Sequence, residues 1–414
     1  MTDKRRVLFV DDDPALLRGL RRMLSGIPRA WDMEFVESGQ EALKILELRS
    51  FDVLVTDMQM PGMSGVTLLE TVKVRFPQIA RIVLSGHSEQ EGILQVVGPA
   101  HQYLSKPCTP EALYAKLART LQLRQTLGSS KLHKVAAGIS TLPSMPLAYK
   151  QLLDGLSCSE ASVDHVAAIV SRDIAFSAKI LQVANSEFFG LAQKISDPKM
   201  AVHYLGLETI RALTLGVNLF KQTEHTSPLS DFLVEIWRHS IITAVFARRI
   251  LQVEGAAKEA AEQAFTAGLM HDLGKIIIAE HLGAEYRCGQ LPNRGTLISS
   301  SDQEYAALGT NHAELGAYLL GLWGLPDPIL EAVAYHHTPD SAFEEELSPL
   351  TAVHVADHLE HSFRSGEVQS QNFSALNRAY LKRIGYLSHL EDWRVLCQVT
   401  IEQNLSRELI DLPF

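Results

Sequence analysis

The sequence predicts two units of different class: an α/β unit built on a five-stranded parallel sheet, followed by an all-helical unit. Three observations carry this. Short apolar runs alternate with amphipathic stretches over residues 1–125, the alternation stops near Gln125, and helical periodicity continues from there with few strand signals. At 414 residues the chain is also too long for one ordinary core.

In the first unit the candidate strands are Val7–Val10, Met33–Val36, Asp52–Thr56, Arg81–Ser85 and Gln102–Leu104. Each is short and rich in Val, Leu, Ile or Phe. Helix-like segments such as Pro14–Leu24 and Gln40–Leu48 lie between them. Five such repeats imply a parallel sheet with helices on both faces, and ligands of these sheets gather at the C-terminal strand ends. Residues 127–137 (LGSSKLHKVAA) read as a linker or the frayed end of a long helix. Beyond them Phe232–Leu251 and Glu259–Ala279 are long helical patterns. Pro326 and Pro328 mark the start of another helix, where proline is tolerated. Phe343–Glu346 reads as a solvated acidic loop, and residues 361–414 as a helical stretch that packs on the core or forms a dimer.

Apolar residues make up 46% and charged residues 21%, as in a soluble globular protein. A net charge of −10, with no basic recognition helix, argues against direct DNA binding. Cys108, Cys158, Cys288 and Cys397 form no CxxC pair, which fits a reducing cytosol. The N-terminal apolar run stops at three acids, unlike a signal peptide, and no stretch approaches the roughly 18 apolar residues that span a bilayer. The expected location is the cytoplasm.

Asp11, Asp12 and Asp13 follow the first strand, Asp57 ends the third, Ser85 ends the fourth and Lys106 follows the fifth. Singly, an acidic triplet is a solvated turn and a lysine before proline is an exposed charge. Together, at converging strand ends, they form a pocket of carboxylates, one hydroxyl and one ammonium. Clustered carboxylates repel unless a cation joins them, and oxygen-only ligands favour Mg²⁺. This chemistry suits phosphoryl transfer onto Asp57. The segments VLFVDDDP, LVTDMQMPGMSG, IVLSG and YLSKP resemble the signatures of response-regulator receiver domains over about residues 5–122. The resemblance implies a flavodoxin-like (βα)5 fold, Asp57 as phosphoacceptor, and Mg²⁺ held by Asp11, Asp12 and Asp57. It also implies Ser85 and Tyr103 as switch residues, Lys106 as the phosphate-sensing lysine, and Gly62 and Gly65 in the loop after Asp57. A sensor histidine kinase or phosphotransfer protein is the implied partner.

The second unit holds most of the 16 histidines. His239, His271, Asp272, His312, His336, His337 and Asp357 have metal-site character, because imidazole and carboxylate together suit Fe, Mn, Zn, Co or Ni. The plainer reading is satisfied core histidines, with His336–His337 at a helix end. MHDLGK, with an upstream His and the downstream VAD, resembles the HD phosphohydrolase superfamily. ISTLPSMPLAYKQLL, LQVANSEFFG, LGLETIR and HAELGAYLLGLWGLPDPILEAVAYHH resemble the HDOD domain in particular, over about residues 137–360. By that resemblance the seven residues are candidate metal ligands and Lys275 a phosphate contact. After His336–His337 the related HD-GYP phosphodiesterases carry a DGxGYP loop; this chain has TPDSAFEEEL.

The expected organisation is a receiver over 1–125, a linker or helix extension over 126–137, an HDOD domain over 138–345, and a C-terminal helical extension over 346–414 that completes the HD core through Asp357. Two functions follow. One is a regulator, phosphorylated on Asp57, that signals through its HDOD half to a downstream protein. The other is a phosphorylation-gated, metal-dependent phosphohydrolase acting on a nucleotide or cyclic dinucleotide. A homodimer is compatible with both.

Overall fold

A computed structural model describes residues 5–24, 31–86, 98–126, 130–139, 141–157, 162–186, 189, 191, 193–216, 220–222, 230–281, 301–342, 346–364 and 376–408. The first unit runs β1 (Arg5–Val10), α1 (Pro14–Leu24), β2 (Trp31–Val36), α2 (Gly39–Leu48), β3 (Val53–Asp57), α3 (Gly65–Arg75), β4 (Ala80–Gly86), β5 (Gln102–Lys106) and α4 (Pro110–Thr126). The strands are parallel in the order β2-β1-β3-β4-β5. All of β3 is buried, as expected of a strand covered on both faces. Leu17, Leu20 and Leu24 give α1 one buried stripe. Ser38 and Ser64 cap α2 and α3 by accepting from the N–H groups of Glu41 and Thr67.

The second unit is mainly helical. It begins with α5 (Ser130–Gly138), β6 (Leu142–Ser144), α6 (Pro146–Ser157), α7 (Val163–Val170), α8 (Ile174–Ala184), α9 (Pro198–Gly216) and β7 (Phe220–Gln222). It continues with α10 (Ser230–Val253), α11 (Lys258–Met270), α12 (Leu273–His281), α13 (Ser301–Leu308), α14 (His312–Leu322) and α15 (Asp327–Tyr335), then α16 (Pro349–Arg364), α17 (Arg378–Arg383) and α18 (Leu390–Glu408). Every residue of α8 is buried, so the helix is covered on all sides. Gly206, within the LGLETIR segment, has φ +75 and breaks α9; a side chain there would be strained. Among the described residues no helix is long and apolar enough to cross a membrane.

Two expectations need correction and a third is narrowed. The second unit is not purely helical, since β6 and β7 pair in parallel. Each has three residues and β6 contains Pro143, so neither leaves a readable strand pattern. Of the two readings of this stretch, a linker or the end of a long helix, residues 130–138 take a helical form, α5, which buries Leu132, Ala136 and Ala137; residues 127–129 lie outside the described residues. The pattern Glu259–Ala279 is two helices, broken at His271–Asp272. The apolar rhythm continues across the turn, so periodicity alone joins what the backbone divides. The acidic run Phe343–Glu346 lies mostly outside the described residues.

Two glycines make the close crossings around that turn. A Cβ on Gly268 would stand 2.8 Å from the Ala244 Cα, so α11 rests directly on α10. A Cβ on Gly274 would stand 1.9 Å from the His312 carbonyl oxygen, so α12 abuts the start of α14. We expect Gly274→Ala to lower the stability of the helical unit by about 1–3 kcal/mol through overpacking. Urea unfolding of the full chain, followed by a receiver probe and a helical-unit probe, checks this; an unchanged helical transition would contradict it.

Candidate functional site

Two sites emerge, one per unit. In the first, the C-terminal ends of β1, β3 and β5 bring Asp11, Asp57 and Lys106 together. Asp11 is 2% and Asp57 8% exposed. The Lys106 ammonium donates to Asp11 Oδ2 at 2.7 Å and also to Asp57 Oδ1. The Gln59 N–H donates to Asp57 Oδ2 at 3.0 Å, and the Asp13 N–H to Asp11 Oδ1 at 3.0 Å. A Cβ on Gly65 would stand 1.9 Å from the Asp57 carbonyl oxygen, and Gly62 has φ +78, so both glycines are required by the loop around Asp57. Burial pushes the Asp57 carboxyl above its ordinary value, against the pull of Lys106. Burial opposes charge on Lys106 too, but its hydrogen bonds to Asp11 and Asp57 raise its pKa overall. Asp12 is exposed beside this pair, and Tyr103 is buried in β5. Ser85 lies on β4 opposite Ser105, with its side chain outside the described residues.

The second site gathers His239 from α10, His271 and Asp272 from the α11–α12 turn, His312 at the start of α14, His336–His337 at the end of α15 and Asp357 from α16. Asp272 is central. Its Oδ2 lies 3.5 Å from His271 Nε2 and 3.6 Å from His239 Nε2, while its Oδ1 lies 3.3 Å from His312 Nε2. Asp357 Oδ1 is 3.1 Å from His239 Nε2 and 3.6 Å from His271 Nε2. His337 Nε2 meets His312 Nε2 at 3.0 Å. Lys275 donates to Asp272 Oδ2 at 2.8 Å.

Four imidazoles are aimed by their other nitrogen. Nδ1 of His271 and of His336 donates to the carbonyls of Gly268 and Val333, both at 2.7–2.8 Å. Nδ1 of His312 meets Glu304 at 2.6 Å, and Nδ1 of His239 meets Glu360 at 2.5 Å. Nε2 is thereby directed inward on all four, the arrangement that presents imidazole lone pairs to a metal. Burial opposes ionisation of Asp272, but Lys275 and the surrounding imidazoles hold it well below the carboxylate range. Burial lowers His239 as well, yet Asp357 and Glu360 outweigh it and raise the imidazole to about 9. Burial holds His336 well below its ordinary value and lowers His337 to about 4, although one edge of His337 is exposed.

These residues fit a cation. The ligand atoms of His239, His271 and Asp357 lie within 4.8 Å of one another, as do those of His312, His336 and His337, and those of His271, Asp272 and His336. Asp272 Oδ1 and His336 Nε2 are buried without a hydrogen-bond partner among the described residues, which costs free energy unless something unseen satisfies them.

Profiles of two families match: the response regulator receiver domain over residues 7–118 and the HDOD domain over residues 142–339. The chain therefore joins a response regulator receiver domain to an HDOD domain. An uncharacterized protein of Treponema pallidum is 25% identical over 258 residues, 59% of this regulator and 46% of that protein. The hydrogenase transcriptional regulatory protein HoxA of Cupriavidus necator is 36% identical over 135 residues, 31% of this regulator and 27% of that protein. The regulator thus spans less than half the length of these curated relatives. Among solved structures, the MmoQ response regulator of Methylococcus capsulatus is 23% identical, with 60% of this chain and 97% of that chain covered at a TM-score of 0.48. The signal receiver domain of an HD domain-containing protein from Pseudomonas fluorescens is 27% identical, with 30% and 99% covered at a TM-score of 0.29.

Receiver domains typically use Mg²⁺ and imply a phosphodonor such as a histidine kinase, and HDOD domains are related to the HD metal-binding domains. The regulator's HD site also contains residues that sequence reasoning missed. Glu360 and His361 follow Asp357 by three and four positions, so helical spacing alone could have placed them on its face; His361 Nε2 lies 3.3 Å from Asp357 Oδ1. His354 donates from Nδ1 to the His336 carbonyl at 2.6 Å and accepts the Asn377 N–H at 3.0 Å. Glu304 comes from a separate helix and had no local signal. In the receiver pocket the raised pKa of Asp57 means that folding favours its neutral form. From this group alone, stability falls as pH rises from the unfolded carboxyl value through the folded one. Without divalent cations we expect Asp57→Asn to raise the receiver's Tm at pH 7 and to leave it unchanged at about pH 3, where both forms are neutral. Scanning calorimetry at the two pH values checks this; a lower Tm at pH 7 would contradict it.

Proposed function

We propose that this response regulator accepts a phosphoryl group on Asp57, from a sensor histidine kinase or a phosphotransfer protein, and passes the state of its receiver to an HDOD output that works as a metal-holding signalling module. The observation that carries the reading is the Lys106 ammonium shared by Asp11 and Asp57 at the strand ends. In the transfer step an Asp57 oxygen attacks the phosphorus of a phosphohistidine. The P–N bond breaks, and its electron pair leaves with the imidazole of the donor. Lys106 is placed to take up a phosphoryl oxygen as charge moves away from the Asp57 carboxylate. Mg²⁺, held by Asp11, Asp12 and Asp57, would neutralise the remaining phosphoryl oxygens. Ser85 and Tyr103 are the proposed switch residues.

For the output half, Asp272 offers one oxygen to the His239–His271–Asp357 group and the other to the His312–His336–His337 group, which supports up to two divalent transition metals among Fe, Mn, Zn, Co and Ni. The functional division we propose keeps 1–125 as the receiver and counts 346–414 with the HDOD unit, because Asp357 and Glu360 reach the cluster from α16, beyond the residues of the HDOD match. A downstream protein, a nucleotide ligand and a homodimer belong to this reading as open partners. Hydrolysis is disfavoured: the matched output family is HDOD, and TPDSAFEEEL stands where HD-GYP enzymes carry their loop.

Acetyl phosphate with Mg²⁺ is expected to add one phosphoryl group to the wild-type chain and none to Asp57→Asn, read by intact mass. A wild type that stays unmodified while a known receiver is labelled alongside it overturns the assignment. Protein purified without chelator is expected to carry a transition metal, with affinity falling about 10–100-fold in Glu304→Gln or Glu360→Gln because the imidazoles lose their orienting partner. Chelator competition measures this, and an ordered wild type that takes up no metal rules out the metal centre. Nucleotide phosphodiester turnover that is lost in Asp272→Ala would reinstate the enzyme.

A further inference from the structure

The end of the sheet opposite Asp57 is buried against the HDOD unit, and its polar groups are unusual for an interface between domains. Arg81, at the start of β4, is 1% exposed. Its guanidinium donates to the carbonyls of Pro99 at 2.5 Å, Ile79 at 3.1 Å and Ala137 at 2.7 Å. No carboxylate pairs with it among the described residues, and burial pushes its pKa down to about 9. His101 Nδ1 accepts the Arg81 backbone N–H at 2.9 Å, which leaves the ring proton on Nε2, 2.9 Å from the same Ala137 carbonyl. Ala137 lies in the last turn of α5, where carbonyls have no partner within the helix and a cation is favoured. The receiver therefore caps the helix that leads into the HDOD unit.

The contact continues into the HDOD core. Gln182 of α8 donates to the His101 carbonyl at 3.3 Å and accepts from Lys179 at 3.1 Å, while the Lys179 ammonium sits 3.9 Å over the Trp323 ring. Gln102 reaches the Gly321 carbonyl at 3.4 Å, and Arg119 of α4 donates to the Leu325 carbonyl at 2.8 Å. Burial holds Lys179 well below its ordinary value, and Lys73 and Arg81 push it the same way. Basic side chains thus crowd a buried seam, held in its interior by hydrogen bonds that tolerate little displacement and at its edge by the Arg119–Asp327 ion pair.

Strand β5 joins this seam to the phosphoacceptor pocket. Its first residue, Gln102, follows His101 in the seam, and its last, Lys106, bridges Asp11 and Asp57. Five residues span only about 16 Å, and a paired strand moves as a rod. We propose that Arg81, His101 and Gln182 form an interdomain latch that holds the receiver closed on the HDOD unit, and that phosphorylation of Asp57 releases it through a shift of β5 when Lys106 re-pairs. This rests on the assignment of Asp57 as phosphoacceptor. A small shift is enough because the bonds that cross the seam, from Arg81 and His101 to the Ala137 carbonyl and from Gln182 to the His101 carbonyl, are lost together, so closed and open are two states rather than a continuum.

Hydrogen exchange of the full chain tests it, read at the amides of Arg81, His101 and Ile139. Phosphorylation by acetyl phosphate and Mg²⁺, confirmed by intact mass, is expected to speed exchange there at least tenfold and to leave β1 and β3 unchanged. Unchanged exchange in fully phosphorylated protein overturns the proposal. A second arm needs no phosphoryl group: Arg81→Met, and the milder Gln182→Ala, are expected to open the same amides in unmodified protein. If Gln182→Ala folds and both variants leave the seam protected, the latch is wrong. If intact mass shows no phosphoryl group, the assignment of Asp57 has failed and the release step falls with it, while the second arm still decides the latch.

Discussion

Asp11 and Asp57 stand side by side, buried, only because the Lys106 ammonium lies between them. Two carboxylates in low dielectric cannot both ionise without a cation, so the pocket is already shaped for positive charge before any metal or phosphoryl group arrives. The HD site obeys the same constraint on a larger scale. Asp272 and Asp357 are buried among His239, His271, His312 and Lys275, and the surrounding positive charge keeps both acids ionised where burial alone would neutralise them.

That constraint explains what the rest of each fold must do. In the receiver, three strand ends converge on the pocket, and Gly65 lets the next loop pass over Asp57 without a steric clash. In the HDOD unit, Gly268 and Gly274 bring two pairs of helices, α11 with α10 and α12 with α14, within backbone contact, and that spacing lets Asp272 approach His239 and His312 at once. The outer partners Glu304 and Glu360 set which nitrogen of His312 and of His239 faces the centre, and His354 holds the backbone carbonyl of His336. The seam between the units mixes two strategies: buried Arg81 is satisfied by carbonyls rather than by an acid, while at the more exposed edge Arg119 pairs with Asp327 at 2.5 Å.

Much of this was legible in the sequence. Strand and helix rhythm located β1 to β5, because a parallel sheet covered on both faces needs continuous apolar runs. The strand-end motifs marked Asp11, Asp57 and Lys106 as neighbours, because the C-terminal ends of a parallel sheet converge on one edge. His271–Asp272, His312 and Asp357 could be named as candidates from residue type and family resemblance. The break between α11 and α12 was not legible, since the apolar pattern crosses it without a change of phase. The strands β6 and β7 were hidden by their length.

The sequence by itself determined which side chains could carry charge and which segments had to be buried, because those properties are local to a residue and its near neighbours. The tertiary structure alone decided that Glu304 orients His312, that Asp272 stands between two groups of histidines, and that Arg81 caps α5 across the domain seam. Those contacts join residues on separate elements, and whether two such elements meet within hydrogen-bonding distance depends on helix crossings set by the whole core rather than by any pattern along the chain.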